Sequence, residues 1–112
     1  MLPATMTCID PEAAGGPDVL QAVTRPVPQA GPNEVLIKVA AAGVNRPDVL
    51  QRRGMYPPPA GAPTIPGLEV AGEIVAAGQG VDANWIGQKV CALVAGGGYA
   101  EYCVAPVGQC LL

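Results

Sequence analysis

The sequence predicts a mainly β fold, a small barrel or sandwich of short strands with one short helix. Three observations carry this. Short apolar runs recur along the 112 residues, each closed by glycine or proline. The 15 glycines and 13 prolines form a quarter of the chain, and they sit between the runs as punctuation rather than in a repeat. Only one segment, beginning after Asn45, carries both the start and the stop signals of a helix. Half of the chain is hydrophobic and 13% is charged, a composition too apolar for disorder. The length suits one domain.

Met6–Ile9 is a short apolar run, ended by the turn-forming Asp10-Pro11 and Gly15-Gly16-Pro17. Val19–Val27 can form a strand, which Pro26 and Pro28 confine to an edge because proline donates nothing to a ladder. Gln29–Asn33 reads as a loop. Glu34–Ala42 is the strongest strand, with Val35, Ile37 and Val39 pointing one way and Leu36 and Lys38 the other.

The helix is expected over Arg46–Arg53. Asn45 can cap it, Pro47 suits its first turn, and Asp48 complements the positive end of its dipole. Val49 and Leu50 are expected to face the core, Arg52 and Arg53 to sit near the negative end, and Gly54 to stop the helix. The prolines from Pro57 to Pro66 imply an extended surface loop. Glu69–Ala77 is a second strong strand, with Gly72 marking a bend or a close backbone approach. Lys89–Ala95 and Tyr99–Ala105 follow, joined by Gly96-Gly97-Gly98 as a hairpin-like turn.

The composition also excludes chemistries. The chain has no His and no Ser, so neither Ser-His-Asp catalysis nor a His-ligated metal site can be built within it. The net charge is −3, and Arg52–Arg53 are the only adjacent basic residues, so no nucleic-acid face is expected. Cys8, Cys91, Cys103 and Cys110 lack the close pairing typical of zinc sites and read as separate buried or half-buried thiols. No run approaches the ~18–20 apolar residues of a membrane span. The first residues carry no charged leader, so a reducing cytoplasm is the expected location.

Several motifs have a plain reading beside a functional one. Gly78-Gln79-Gly80-Val81-Asp82-Ala83 matches a dinucleotide fingerprint, but Gly87 would break the helix that the pyrophosphate needs, so a turn between strands is favoured. Gly96–Gly98 is not followed by Lys or Ser/Thr, which excludes a phosphate-binding loop. Asn45-Arg46-Pro47-Asp48 is either a helix cap or a site at a helix start, with Arg46 available for a phosphate. Tyr56, before the rigid Pro57–Pro59 run, reads alone as a packing residue, and Glu69 as a surface carboxylate.

Seven segments in order carry a resemblance: Gly15–Pro17, Asn33–Val39, Ala42–Asp48, Gln51–Pro57, Pro66–Gly72, Gly87–Val90 and Gly97–Tyr102. Together they resemble the amino-terminal, GroES-like domain of medium-chain dehydrogenase/reductases, in particular the zinc-free NADPH:quinone oxidoreductases of the zeta-crystallin-like branch. The resemblance covers residues 6–112. It implies a GroES-like, partly open β-barrel with one short helix, and a Rossmann NADPH-binding domain that this chain lacks. Asn45 stands where the zinc-dependent branch carries a cysteine ligand, and Leu68 where that branch carries a histidine. The lobe of four cysteines is missing too, so no zinc is expected.

The resemblance further implies hydride transfer from NADPH to a quinone or another α,β-unsaturated carbonyl. Asn45 and Tyr56 are then the expected catalytic hydrogen-bond donors, Asn45 and Arg46 the cofactor-binding residues, and Glu69 a residue that orients its neighbours. The implied partners are a small quinone or enone, with no nucleic acid and no membrane. The parent enzyme is expected to dimerise through the absent domain, and this chain alone to be inactive. Two other readings stand beside this one: a non-catalytic GroES-like interaction module, and a fragment of an enoyl reductase.

Overall fold

The computed structural model describes residues 2–112. Strands β1 (Thr5–Ile9) and β2 (Ala22–Pro26) pair antiparallel as a separate two-stranded ribbon. The other five strands are β3 (Glu34–Ala42), β4 (Glu69–Ala77), β5 (Lys89–Leu93), β6 (Tyr102–Pro106) and β7 (Cys110–Leu111). They form one antiparallel sheet in the order β6-β3-β4-β5-β7. The single α-helix among the described residues, α1 (Arg46–Arg52), lies within the long connection from β3 to β4. This is the mainly β, partly open barrel with one short helix that was expected.

Alternation builds the main core. Val35 and Ile37 of β3 face Val70 and Ile74 of β4, Val90 and Ala92 of β5, Cys103 and Ala105 of β6, and Cys110 of β7. Period-two spacing puts each set on one face of its strand. A smaller core joins Met6 and Cys8 of β1 to Ile65 of the proline-rich loop, with Tyr99 and Tyr102 packed against it. Leu36 points away from the main core as expected, yet it is 2% exposed. It lies directly opposite Ala76 of β4 and Val104 of β6, and an inner strand with apolar neighbours on both edges shields both of its faces. Gly72 is the close approach foreseen: a Cβ there would run into the carbonyl oxygen of Lys38, beside the break in register between Val39 and Ala41.

Several sequence expectations are corrected. Gly96–Gly98 does not turn a hairpin, because β5 and β6 lie on opposite sides of the β3–β4 pair. Instead the triplet docks on the proline-rich loop: Gly97 N donates to Ile65 O at 2.7 Å and Gly98 N to Gly67 O at 3.1 Å. The strand expected from Tyr99 starts at Tyr102. Residues 99–101 bond instead to β1, through Ile9 N to Tyr99 O at 2.8 Å and Glu101 N to Thr7 O at 3.2 Å. They thereby tie the ribbon to the sheet. The strand expected over Val19–Val27 begins at Ala22, since Pro17–Val19 forms a 3₁₀ turn. The loop after β4 leads only into a 3₁₀ turn, Ala83–Trp85, as the turn reading of Gly78–Gly80 required.

All four cysteines are free; Cys91 is exposed and Cys8, Cys103 and Cys110 are buried. Burial pushes up the thiol pKa of all three buried residues, to about 11 for Cys103. The thiolate is the nucleophile, so a disulfide reagent added to the folded chain should modify Cys91 at once and the other three only as the protein unfolds. A second thiol reacting as fast as the first would contradict this arrangement. No helix among the described residues is long and apolar enough to cross a membrane.

Candidate active site

The site is built where β3 runs into α1. Asn45, in extended conformation, occupies the helix N-cap, and Pro47 stands in the first turn. Asp48 reaches back to this cap: Asn45 N donates to Asp48 Oδ2 at 3.0 Å, one half of a capping box. Asn45 Nδ2 donates to Glu69 Oε1 at 2.9 Å. Glu69, at the start of β4, also accepts on its backbone oxygen from Gly43 N at 3.2 Å. Asn45 is therefore held at both its backbone and its side chain.

Asp48 is 4% exposed. The Tyr99 hydroxyl donates to its Oδ2 at 2.7 Å. Burial, then the bond to Asp48, then the carboxylate charge all push the Tyr99 pKa far above its ordinary value, so the phenol stays protonated and remains a donor. Tyr99 is itself fixed, because its N–H donates to Pro66 O at 2.9 Å. Gly67, with φ of 108°, packs against the backbone of Gly98 and Tyr99; a Cβ on Gly67 would lie 2.7 Å from Gly98 Cα and 2.7 Å from Tyr99 N.

The helix buries charge rather than apolar surface. Val49 and Leu50, expected to face the core, are only half-buried, whereas Asp48 and Arg52 are buried. A helix this short offers few side chains, and here Tyr99 rewards the burial of an acid with a hydrogen bond. Arg46 is exposed, with no ion pair among the described residues. Tyr56 is half-buried just beyond α1, where Met55 N donates to Leu50 O at 2.8 Å and bends the chain back. Its hydroxyl makes no side-chain hydrogen bond among the described residues. Sequence reasoning did not find Tyr99. The signal available was a tyrosine directly after three glycines, a place where tight packing leaves a side chain little freedom.

Chemically, the Asn45 amide has two N–H donors, and Glu69 takes one. The other is free to bond an oxygen that gains negative charge. Among the described residues no group of three His, Cys, Asp or Glu side chains could hold a metal ion.

A family model described as the alcohol dehydrogenase GroES-like domain matches residues 31–112. A probable quinone oxidoreductase of Schizosaccharomyces pombe is 41% identical over 93 residues, 82% of this chain and 28% of that protein. A synaptic vesicle membrane protein VAT-1 homolog of Rattus norvegicus is 34% identical over 109 residues, 96% of this chain and 27% of that protein. Among solved structures, the quinone oxidoreductase from Coxiella burnetii superposes with a TM-score of 0.84 at 30% identity, over 96% of this chain and 36% of that one. The chain thus spans under a third of the length of these two curated relatives.

Proposed function

Because this chain belongs to the alcohol dehydrogenase GroES-like domain family, we propose that it forms the substrate side of an NADPH-dependent quinone oxidoreductase. Its relatives make it a domain of the oxidoreductase type. The observation that carries the finer reading is the Asn45 amide, fixed at two points and left with one unspent N–H. A quinone carbonyl becomes an oxyanion as it accepts hydride, and donors already aimed at the developing charge stabilise it without reorganising. Asn45 is one such donor. Tyr56, with no partner of its own among the described residues, is the second.

NADPH, when bound, supplies the hydride. The described residues include no parallel strand pair and no long helix after Gly78–Gly80, so a pyrophosphate site of the βαβ kind is not among them. Arg46, exposed and free of an ion pair among the described residues, is available to a cofactor phosphate. The reading is zinc-free. Asn45 and Leu68 offer neither thiolate nor imidazole, and the Asn45 nitrogen already serves as a donor to Glu69. The free thiols favour a reducing compartment such as the cytoplasm.

The test begins with the ¹⁵N-labelled chain and a fully ring-substituted quinone, which cannot add the exposed Cys91 thiol across its ring. Saturable chemical-shift changes are expected at Asn45 and Tyr56, and their absence at both overturns the reading. In a protein that joins this chain to a nucleotide-binding domain, Tyr56→Phe should lower kcat by about tenfold with a smaller effect on KM, since the lost bond is strongest in the transition state. A kcat within about twofold of the unsubstituted protein, less than ~0.5 kcal/mol, returns Tyr56 to packing.

A further inference from the structure

We propose that Asp48 and Tyr99 are positioning residues for Asn45, acting through a closed ring of hydrogen bonds that links the helix start to two distant turns. The proposal rests on the reading of Asn45 as a substrate-facing donor.

The ring can be followed atom by atom. Asn45 N donates to Asp48 Oδ2 at 3.0 Å, and the Tyr99 hydroxyl donates to the same oxygen at 2.7 Å. Tyr99 N donates to Pro66 O at 2.9 Å, and Gly98 N to Gly67 O at 3.1 Å. The chain then runs from Pro66 through Leu68 to Glu69, whose Oε1 accepts from Asn45 Nδ2 at 2.9 Å and closes the circuit. Every segment that carries a member is therefore tied to the next, and Asn45 is the one member whose side chain keeps an unspent donor.

A cap alone does not explain Asp48. An exposed aspartate at the third helical position can serve the N-cap amide equally well and keeps its hydration. Here the carboxylate is 4% exposed, and its second oxygen, Oδ1, is buried without a hydrogen-bond partner among the described residues. Burying a charge in this way is a poor route to stability. What it supplies is direction. Both donors converge on one oxygen, so the helix start cannot shift relative to Tyr99 without breaking a short charge-assisted bond. Tyr99 in turn cannot shift without leaving Pro66. The orientation of the Asn45 amide is thereby set by residues that would not touch the substrate.

The test measures hydrogen exchange in the ¹⁵N-labelled 112-residue chain, with Tyr99→Phe as the variant and Tyr102→Phe as the control. Tyr99→Phe deletes the hydroxyl and keeps the ring. Exchange at the Asn45 backbone amide should quicken by about tenfold relative to the protection of the β3 core amides at Val35 and Ile37, while Tyr102→Phe leaves that ratio unchanged. An unchanged ratio in Tyr99→Phe, whether from no effect or from uniform loosening of the whole fold, overturns the proposal.

Should Tyr99→Phe not fold, the unsubstituted chain carries the test. In mixed H₂O and D₂O the Tyr99 ring carbon bearing the hydroxyl should give two signals, the mark of a slowly exchanging, bonded hydroxyl. A single averaged signal overturns the proposal. Neither measurement involves a quinone, so a failure of the quinone titration strikes the functional reading and leaves the ring to be judged by these outcomes.

Discussion

Gly67→Ala is expected to lower the free energy of unfolding by about 3 kcal/mol or more and to loosen the site with it. Two costs add. The backbone of Gly67 has φ of 108°, where an L side chain is strained. The new Cβ would also stand 2.7 Å from both Gly98 Cα and Tyr99 N, and these are backbone atoms that cannot swing aside. Relief requires moving Tyr99, which breaks its bond to Pro66 and draws the hydroxyl from Asp48.

Gly61→Ala separates the two costs. Gly61 has φ of 82°, but nothing lies within 4 Å of its would-be Cβ, so only the conformational cost of about 1 kcal/mol is expected there. Urea unfolding of both variants at matched m-values measures the difference. Equal losses would mean that the contact of Gly67 with Gly98 contributes nothing beyond its backbone angle.

The chain should also lose stability as the pH rises from 9 to 11. Burial pushes the Cys103 thiol from 9.0 up to about 11. Cys103 is 2% exposed, and its thiol lies among the apolar residues of the main core. Across that window the unfolded chain releases the thiol proton and the folded chain keeps it. The unfolded state then binds fewer protons, so the free energy of unfolding falls with pH, and the contribution present below pH 9 is lost as the folded thiol ionises. Two units correspond to roughly 2–3 kcal/mol.

The buried Cys8 and Cys110 are shifted in the same direction, and Tyr99 adds to the loss above its ordinary value of 10.0. Denaturant unfolding at a series of pH values, under reducing conditions, gives the slope. Cys103→Ala should flatten part of it, most clearly between pH 9 and 10 where Tyr99 has not yet entered, while lowering stability at pH 9 through the cavity it leaves. A slope unchanged in Cys103→Ala would assign the alkaline loss to other groups.

Local pattern in the sequence determined the strands and the helix start. Val35 and Ile37, Val70 and Ile74, and Val90 and Ala92 each fall on one face because strand geometry alternates, and that holds before any partner is chosen. Asn45, Pro47 and Asp48 announce α1 through interactions spanning three residues. Tertiary structure decided which strands meet. Three glycines permit a tight turn but do not compel a hairpin, and the sheet instead places β6 beside β3, where Cys103 and Ala105 complete the main core. The two-residue β7 is too short to show any period and exists because β5 offers it an edge.

The site divides along the same line. Asn45 could be named from the sequence, but its side-chain partner Glu69 lies 24 residues away, and the bond from Tyr99 to Asp48 spans 51. A hydrogen bond of that range leaves no mark in local spacing, because Tyr99 is held near Asp48 by the docking of the glycine turn on the proline-rich loop. The burial of Asp48 has the same origin: propensity placed an acid in the first turn of α1, and only the arrival of Tyr99 made it worth withdrawing that acid from water.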